Sequence, residues 1–295
     1  MSTPGSEPNA TSHTVLSVLR GAEDWLQRRS VDAPKRSAEL LLGKVLGLDR
    51  LRLYLAHDRP LDPAERAAMR ALVARRGQGE PVAYLLGSWS FRGHELAVSP
   101  AVLIPRPETE DLVTIALGLL PPGGRAIDLG TGSGAIAIAL AKERPDVHVT
   151  AVELSKNALE LAQQNAARHG VAERLAFALG SWWSPLDPAA TFDLVVSNPP
   201  YIDPAAPHGL AADVKAHEPP LALFSATGDV LSCYRELVAG LRTHLVPGGW
   251  FVAETGVGAS APGLALLQQQ DCLEAAELRP DFAGVGRYLL ARRRR

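Results

Sequence analysis

The residues with the clearest chemical potential in this sequence are Asn198-Pro199-Pro200-Tyr201. They follow an apolar run over residues 192–197, which is typical of a buried strand. Two successive prolines remove two backbone N–H donors and keep the chain extended. What remains is a rim of carbonyl oxygens, one side-chain amide and an aromatic face. This rim suits a planar group that donates N–H bonds, such as an amide or the amine of a base. Taken alone, the motif is equally compatible with a proline-rich turn.

A second group of residues has the spacing of a cofactor site. The run Asp128-Leu129-Gly130-Thr131-Gly132-Ser133-Gly134 lies where a predicted strand turns into a helix. Glycines there let the backbone approach a ligand closely, at the edge where open α/β sheets bind ligands. The spacing G-x-G-x-G does not favour a dinucleotide pyrophosphate. Glu153, at the end of the next strand, can accept hydrogen bonds from ribose hydroxyls. A structural turn would explain the glycines but not both acids, so the pattern predicts an adenosine cofactor.

The elements that position these residues follow from the apolar periodicity. The first ninety or so residues have helical spacing, and Asp62-Pro63-Ala64-Glu65 predicts a helix start by its capping pattern. A hairpin is predicted around Gly93-His94. From about residue 108, strands and helices alternate, which predicts a mainly parallel sheet covered on both faces. Pro247-Gly248-Gly249 is predicted to be a turn, and the last strands to be an antiparallel edge hairpin.

Composition excludes several classes of protein. The chain has 295 residues with 46% hydrophobic and 21% charged, and a net charge of −2, so it has no overall basic field for nucleic acid. Cys233 and Cys272 form no motif, which favours a reducing cytoplasm. No membrane-spanning run is present, and neither His-Glu-x-x-His nor Cys-x-x-Cys occurs, so no metal is expected. The run from Arg292 to Arg295 is expected to be a solvated tail, with contact to RNA or a ribosomal partner as the alternative.

The chain resembles the class I, S-adenosylmethionine-dependent methyltransferases. Among them it is most similar to the protein-glutamine N-methyltransferases that modify peptide-chain release factors, the PrmC/HemK family. The matching segments are residues 80–84, 104–110, 128–134 and 198–201, Glu218-Pro219 with Ala222-Leu223, and Asp281, Gly284 and Arg287. The Asn-Pro-Pro-Tyr motif is shared with enzymes that methylate amines of DNA and RNA. The Pro-Arg-Pro-Glu-Thr-Glu segment is more specific, and the sister family acting on a ribosomal protein usually departs from it.

Two departures from the family pattern stand out. Glu153 occurs where the family more often has Asp, and its longer side chain should still reach a ribose. Glu254-Thr255-Gly256 replaces a usual Glu-Ile-Gly, in a region expected to shape the core.

The resemblance implies an α/β fold, a class I (Rossmann-like) methyltransferase sheet with a small N-terminal helical domain joined to it by a β-hairpin. The expected organisation is a disordered tail over residues 1–12, a helical substrate-recognition domain over 13–88, a hairpin linker over 89–104 and the methyltransferase domain over 105–295. It also implies a cytoplasmic enzyme, expected to be a monomer without a direct nucleic-acid substrate.

The resemblance further implies methyl transfer from S-adenosyl-L-methionine to the glutamine side-chain amide in the GGQ motif of class I release factors. The expected catalytic residues are Asn198, Pro199 and Tyr201. The expected cofactor-binding residues are Asp128, Gly130, Thr131, Gly132, Ser133, Gly134, Glu153, Trp182 and Asn198. The expected substrate-binding residues are Asn198, Pro199, Pro200, Tyr201 and Arg106. For the adenine pocket Trp183 is the alternative to Trp182, and a structural salt bridge is the alternative for Arg106. Glu218 is expected to be structural.

Other functions remain open at this point. One alternative is an amine methyltransferase acting on DNA or RNA adenine, against which the net charge of −2 and the small helical domain argue. Another is a methyltransferase acting on a ribosomal-protein glutamine. A third is a non-catalytic module that docks on a release factor and keeps the pocket as a relic. The presence of Asp128, Glu153 and Asn198 together argues against that third function.

Overall fold

The computed structural model describes residues 13–205 and 210–295, and the chain divides into two compact units. The first unit contains the chain up to Gly87 together with Ala212–His217. The second contains Ser88–Ala211 and Glu218–Arg295. The disordered tail expected over residues 1–12 lies outside the described residues. In the described part of the chain, no helix is both long enough and apolar enough to cross a membrane.

The secondary structure of the described residues consists of twelve α-helices, nine strands and a short 3₁₀ turn at Ala172–Arg174. The helices are α1 Val15–Gln27, α2 Pro34–Leu46, α3 Arg50–Leu55, α4 Pro63–Arg76, α5 Val82–Leu86, α6 Pro107–Leu119, α7 Ala135–Glu143, α8 Lys156–Arg168, α9 Ala212–His217, α10 Pro220–Leu223, α11 Ser232–His244 and α12 Ser260–Gln268. The strands are β1 Ser88–Phe91, β2 His94–Ala97, β3 Arg125–Leu129, β4 His148–Glu153, β5 Leu175–Leu179, β6 Phe192–Ser197, β7 Leu245–Glu254, β8 Leu273–Pro280 and β9 Gly286–Arg293.

The first unit is a helical bundle around its own apolar core, built from α1 to α5 and α9. The predicted start of α4 is confirmed: the Asp62 side chain accepts from the Glu65 N–H at 2.8 Å, and the Glu65 carboxylate accepts from the Asp62 N–H at 3.0 Å. Arg76, at the end of this helix, is buried. Its guanidinium donates to the Glu80 carbonyl at 3.0 Å and lies 3.6 Å from the Asp213 carboxylate of α9. Buried charge in this unit is therefore paired, as burial requires.

The second unit is a seven-stranded sheet in the order β5-β4-β3-β6-β7-β9-β8. The first five strands are parallel, and β9 and β8 add to the edge in antiparallel pairing. The α/β fold, the mainly parallel sheet and the antiparallel edge hairpin expected from the sequence are confirmed. Strand order reverses between β3 and β6, because the chain builds outward through β4 and β5 before returning to β6. Ligands bind at such a reversal, outside the carboxyl ends of the strands.

The predicted hairpin is confirmed as β1 and β2, with Arg92 and Gly93 at its turn in the left-handed region (φ 48° and 74°). The Arg92 guanidinium makes two hydrogen bonds with the Glu143 carboxylate of α7, at 2.6 and 2.7 Å. The Arg92 N–H donates to the Glu110 carboxylate of α6 at 2.8 Å. These contacts tie the hairpin turn to the two helices.

The turn predicted at Pro247-Gly248-Gly249 is wrong, because these residues lie inside the continuous strand β7. The pairing of β6 with β7 shifts register between Phe192 and Leu194, which accommodates the extra residues as a bulge. Gly248 has φ 82°, and a Cβ on Gly249 would meet the Asp193 carbonyl at 2.9 Å. The glycines thus serve a strand irregularity rather than a chain reversal.

The solvated C-terminal tail expected from the sequence is also wrong in part. Arg292 and Arg293 belong to β9. The guanidiniums of Arg292, Arg293 and Arg294 donate to the carbonyls of Gly248, Leu245 and Leu273, respectively. These arginines therefore bind carbonyls near the starts of β7 and β8.

Candidate active site

The two motifs singled out in the sequence begin side by side in the second unit. Leu129, the last residue of β3, pairs with Ser197, the last residue of β6. The Ser197 hydroxyl donates to the Leu129 carbonyl at 2.6 Å in a fully buried contact. The glycine loop, residues 130–134, and the Asn-Pro-Pro-Tyr motif, residues 198–201, therefore leave neighbouring strands at the point where the strand order reverses.

A cavity of about 450 Å³ opens at this edge of the sheet. Its wall contains the predicted residues Arg106, Gly130, Thr131, Gly132, Ser133, Glu153, Trp182, Asn198 and Pro200. This volume lies in the range of small-molecule sites. Asp128, Gly134, Pro199 and Tyr201 are not in the wall. The structure thus brings nine of the thirteen predicted residues to one cavity.

The glycine loop depends on backbone conformations that favour glycine. Gly130, Gly132 and Gly134 have φ of 80°, 56° and 83°. A Cβ on Gly134 would meet the Ile138 side chain at 3.0 Å and the Ala162 Cβ at 3.2 Å. Gly134 thus permits close packing where α7 begins against α8, while Gly130 and Gly132 shape the cavity wall.

Asp128 lies fully buried beneath the glycine loop. One carboxylate oxygen accepts from the Thr131 hydroxyl at 2.6 Å, while Oδ1 finds no hydrogen-bond partner within residues 13–205 and 210–295. Burial raises the pKa of Asp128 to about 7, against the hydrogen bond from Thr131 that lowers it. Asp128 therefore holds the loop from below through Thr131.

Glu153 presents its carboxylate to the cavity from the end of β4. It accepts from the Gly132 N–H at 2.9 Å and from the Ser155 N–H at 2.8 Å, one bond on each oxygen. A carboxylate offers about four acceptor positions, so two stay available. This geometry fixes the carboxylate and leaves it able to accept from a pair of hydroxyls.

The two neighbouring tryptophans have separate surroundings. Trp182 is in the cavity wall, where a Cβ on Gly130 would meet its ring at 3.5 Å. Trp183 instead stacks on His244 at 4.9 Å, and its indole N–H donates to the carbonyls of Glu236 and Leu237, both at 3.1 Å. The flat face near the glycine loop belongs to Trp182.

The Asn-Pro-Pro-Tyr motif is held by side chains from distant parts of the chain. The Asn198 amide donates to the Thr109 hydroxyl at 3.2 Å, and that hydroxyl donates to the Glu254 carboxylate at 2.7 Å. The Tyr201 hydroxyl reaches the same carboxylate at 3.4 Å. A Cβ on Gly256 would meet the Tyr201 ring at 2.6 Å, so glycine is required for this packing. Tyr201, expected to be catalytic and to bind the substrate, is placed against Gly256 and Glu254.

Glu254 is a nearly fully buried carboxylate, 2% exposed. Burial raises its pKa to about 7, opposed by the Thr109 hydrogen bond and the charge of Arg287. Burial also raises the pKa of Tyr201, so this phenol stays protonated and able to donate.

Arg106 is in the cavity wall and is paired with Glu218. The Glu218 carboxylate, 3% exposed, also accepts from the Ile104 N–H at 3.1 Å. Both groups that bind the buried Glu218 carboxylate, the Ile104 N–H and the Arg106 guanidinium, come from the segment before α6. Glu218 therefore fixes that segment to the part of the chain that begins at residue 218. This contact is the structural salt bridge named as the alternative for Arg106.

Two residues of the site were not identified from the sequence. Thr109 appeared only as part of a motif, and Glu254 only as part of a core-forming segment. The available signal was the position of Glu254 at the end of β7, the neighbour of β6, where an acid is placed near the site. Within residues 13–205 and 210–295, no group of three or more His, Cys, Asp or Glu side chains is placed to hold a metal ion.

Comparisons with known proteins agree with this organisation. A protein-family model described as PrmC N-terminal domain matches residues 17–87, and one described as methyltransferase small domain matches residues 114–214. Proteins named release factor glutamine methyltransferase are similar over most of their length. The one from Nitratidesulfovibrio vulgaris is 42% identical over 97% of this chain and 98% of its own. The one from Xylella fastidiosa is 44% identical over 92% of this chain and 97% of its own.

Solved structures with a similar course of the chain include a ribosomal protein L11 methylase from Lactobacillus delbrueckii. It has a TM-score of 0.46 and 21% identity, and the match covers 64% of this chain and 79% of that one. A SAM-dependent O-methyltransferase from Thermotoga maritima has a TM-score of 0.48 and 18% identity, with 68% of this chain and 73% of that one covered. Both scores are below 0.5, so the fold assignment stands on the strand order described above.

Proposed function

The chain belongs to the family of release factor glutamine methyltransferases, and we infer that it methylates the side-chain amide nitrogen of a release-factor glutamine, using S-adenosyl-L-methionine. The observation that carries this inference is the identity of 42% to such a protein over 97% of this chain. Amine methylation on nucleic acid or on a ribosomal protein is not favoured. We propose further that the target is the glutamine of a Gly-Gly-Gln loop, and that nucleic acid is not a substrate.

The residues of the cavity fit S-adenosyl-L-methionine. Glu153 has acceptor positions free for two ribose hydroxyls, the glycine loop lets the backbone approach a ligand, and Trp182 offers a flat face for an adenine. When bound, this cofactor supplies an electrophilic methyl group on a sulfonium. We assign Gly130, Gly132, Glu153 and Trp182 to holding it, with Asp128 and Gly134 supporting the loop.

Asn198 and Pro199 are proposed to hold the substrate amide. A neutral amide nitrogen is a poor nucleophile because its lone pair is delocalised into the carbonyl. Two acceptors bind the two N–H bonds: the Asn198 side-chain oxygen and the Pro199 carbonyl. They return electron density to the amide nitrogen and fix the direction of its lone pair. Orientation can contribute up to about 7–11 kcal/mol in well-aligned systems, and fixed dipoles add to it. No strong base is needed before transfer, because the product can lose its extra proton to water.

Methyl transfer from radiolabelled S-adenosylmethionine tests the proposed function. The acceptors are a purified class I release factor, the same factor with its Gly-Gly-Gln glutamine changed to alanine, and duplex DNA. We expect label on the first acceptor alone. Equal label on the glutamine-less factor would contradict the target residue, and label on DNA would contradict the substrate class.

A further inference from the structure

Thr109 stands between the Asn-Pro-Pro-Tyr motif and a buried carboxylate. It comes from the first turn of α6, and it is 5% exposed, while Glu254 at the end of β7 is 2% exposed. The Asn198 amide reaches Oγ1 of Thr109 at 3.2 Å, and Oγ1 lies 2.7 Å from Oε2 of Glu254. Because both side chains are buried, little water competes for these bonds, and their direction is set by the three groups themselves.

The direction of these bonds follows from counting hydrogens. A hydroxyl has one hydrogen, and an ionised carboxylate only accepts. An ionised Glu254 therefore takes the hydrogen of Thr109, whose oxygen can then only accept from Asn198. The Asn198 atom that faces Thr109 must be the amide nitrogen, so its carbonyl oxygen is turned away from Thr109.

We propose that Thr109 and Glu254 are a positioning pair that fixes the orientation of the Asn198 amide, so that its oxygen faces the substrate. This inference rests on the proposed function, since it takes Asn198 to accept an N–H bond of the substrate glutamine. In the reverse orientation the NH2 group of Asn198 would meet the substrate N–H bonds donor to donor, and the hydrogen bond would be lost.

The protonation state of Glu254 decides whether the pair works. The groups that face Glu254 are Thr109 and Glu108 of α6, Tyr201, Arg287 and Tyr288 of β9, and Tyr234 of α11, which donates to the Glu254 carbonyl at 2.7 Å. A protonated Glu254 can donate to Thr109, whose own hydrogen then becomes available to the Asn198 oxygen. The amide can then turn over. Because burial raises the pKa of Glu254 to about 7, we expect kcat to rise between pH 6 and pH 8 as the carboxylate forms.

Substitutions at Thr109 test the pair directly. Thr109→Val removes the hydroxyl at nearly constant shape, and Thr109→Ser keeps it. With release factor and cofactor saturating, we expect kcat of Thr109→Val to fall about fivefold to tenfold, the effect of one lost hydrogen bond. Cofactor affinity by calorimetry should stay within about twofold, and Thr109→Ser should recover most of kcat. Thr114→Val is the matched control, because it removes a hydroxyl of the same helix that donates to the Glu110 carbonyl.

Three results would overturn the inference. One is a kcat of Thr109→Val within about twofold of wild type, and another is an equal loss of cofactor affinity, which indicates general damage. The third is a pH 6–8 rise in kcat that persists in Glu254→Gln, since that variant cannot ionise. Asn198→Ala in the same assay separates this inference from the proposed function. If Asn198→Ala retains turnover, the role of Asn198 has failed. If it collapses while Thr109→Val is normal, only the positioning pair has failed.

Discussion

The two halves of the cavity are built in different ways. The proposed cofactor half, formed by the glycine loop and Glu153, is held by backbone N–H groups and by contacts close in sequence. Glu153 bonds the backbone of residues 21 and 2 positions away, and Thr131 bonds Asp128 three positions away. The proposed acceptor half, around Asn198 and Thr109 in the cavity wall, is held by side chains, including those of Tyr201 and Glu254 outside the wall. Asn198 and Thr109 are 89 positions apart, and Thr109 and Glu254 are 145 apart.

This difference determines how each half should respond to substitution. A backbone N–H cannot be removed by changing a side chain, so the cofactor half retains most of its donors in any single variant. In the acceptor half each group has one or two partners, and removing one leaves another buried polar atom unsatisfied. We therefore expect single substitutions to reduce catalysis strongly in the acceptor half and to reduce binding moderately in the cofactor half.

The largest expected effect is that of Asn198→Ala in the acceptor half. Loss of one preorganised group that contacts the reacting atoms typically costs about 10²- to 10³-fold in kcat. Cofactor affinity, measured by calorimetry on the same preparation, should change little. The two halves would not differ as expected if Asn198→Ala turned over at a near-normal rate, or if it lost cofactor affinity and kcat in parallel.

A smaller effect of the opposite kind is expected from Glu153→Ala in the cofactor half. Hydrogen bonds to a charged group contribute about 1.5–3 kcal/mol, so affinity for S-adenosylmethionine should weaken about 10- to 100-fold. At saturating cofactor, kcat should fall much less. Glu153→Asp is the matched control, because it keeps the carboxylate. Unchanged affinity in Glu153→Ala would remove this residue from the site.

The last comparison concerns stability, and it sets the buried carboxylates of the two halves side by side. Burial raises the pKa of Asp128 and of Glu254 to about 7 in the folded chain, against about 4 in an unfolded one. Between these values the folded state binds more protons, so each group's contribution to stability is full below pH 4 and declines as the pH rises to 7.

Asp128→Asn cannot ionise and should lose this dependence. Relative to wild type, its free energy of unfolding in urea should rise from pH 5 to pH 7, by at most about 1.4 kcal/mol per pH unit. Glu254→Gln should show the same sign. The free energy of unfolding relative to wild type could stay constant from pH 5 to pH 7 for one variant and rise for the other. That result would show that only one half contains a carboxylate whose ionisation destabilises the folded state.

The proximity of the residues in the proposed cofactor half was easier to predict from the sequence than that of the acceptor half, for a physical reason. Asp128 and the glycines adjoin one another, and Glu153 ends the following strand, so strand periodicity alone places them together. Thr109 and Glu254 meet Asn198 only because β6 and β7 are neighbours and α6 packs on the same sheet, which is a tertiary fact. The turn predicted from the glycines at 248–249 was wrong for the same reason, since their role depends on the Asp193 carbonyl of another strand.

Helix α9 lies after the Asn-Pro-Pro-Tyr motif in sequence but belongs to the first unit, with Asp213 beside the buried Arg76. The polypeptide therefore leaves the methyltransferase unit after the motif, contributes one helix elsewhere, and returns at Glu218, the partner of Arg106. Cleavage after residue 87 would thus sever one of three connections and leave the N-terminal fragment without α9, while the other fragment would contain α9 together with the complete methyltransferase unit. A chimaera that exchanges helical units between relatives must exchange residues 212–217 as well, and a protease cut in the 205–211 segment would interrupt both units at once.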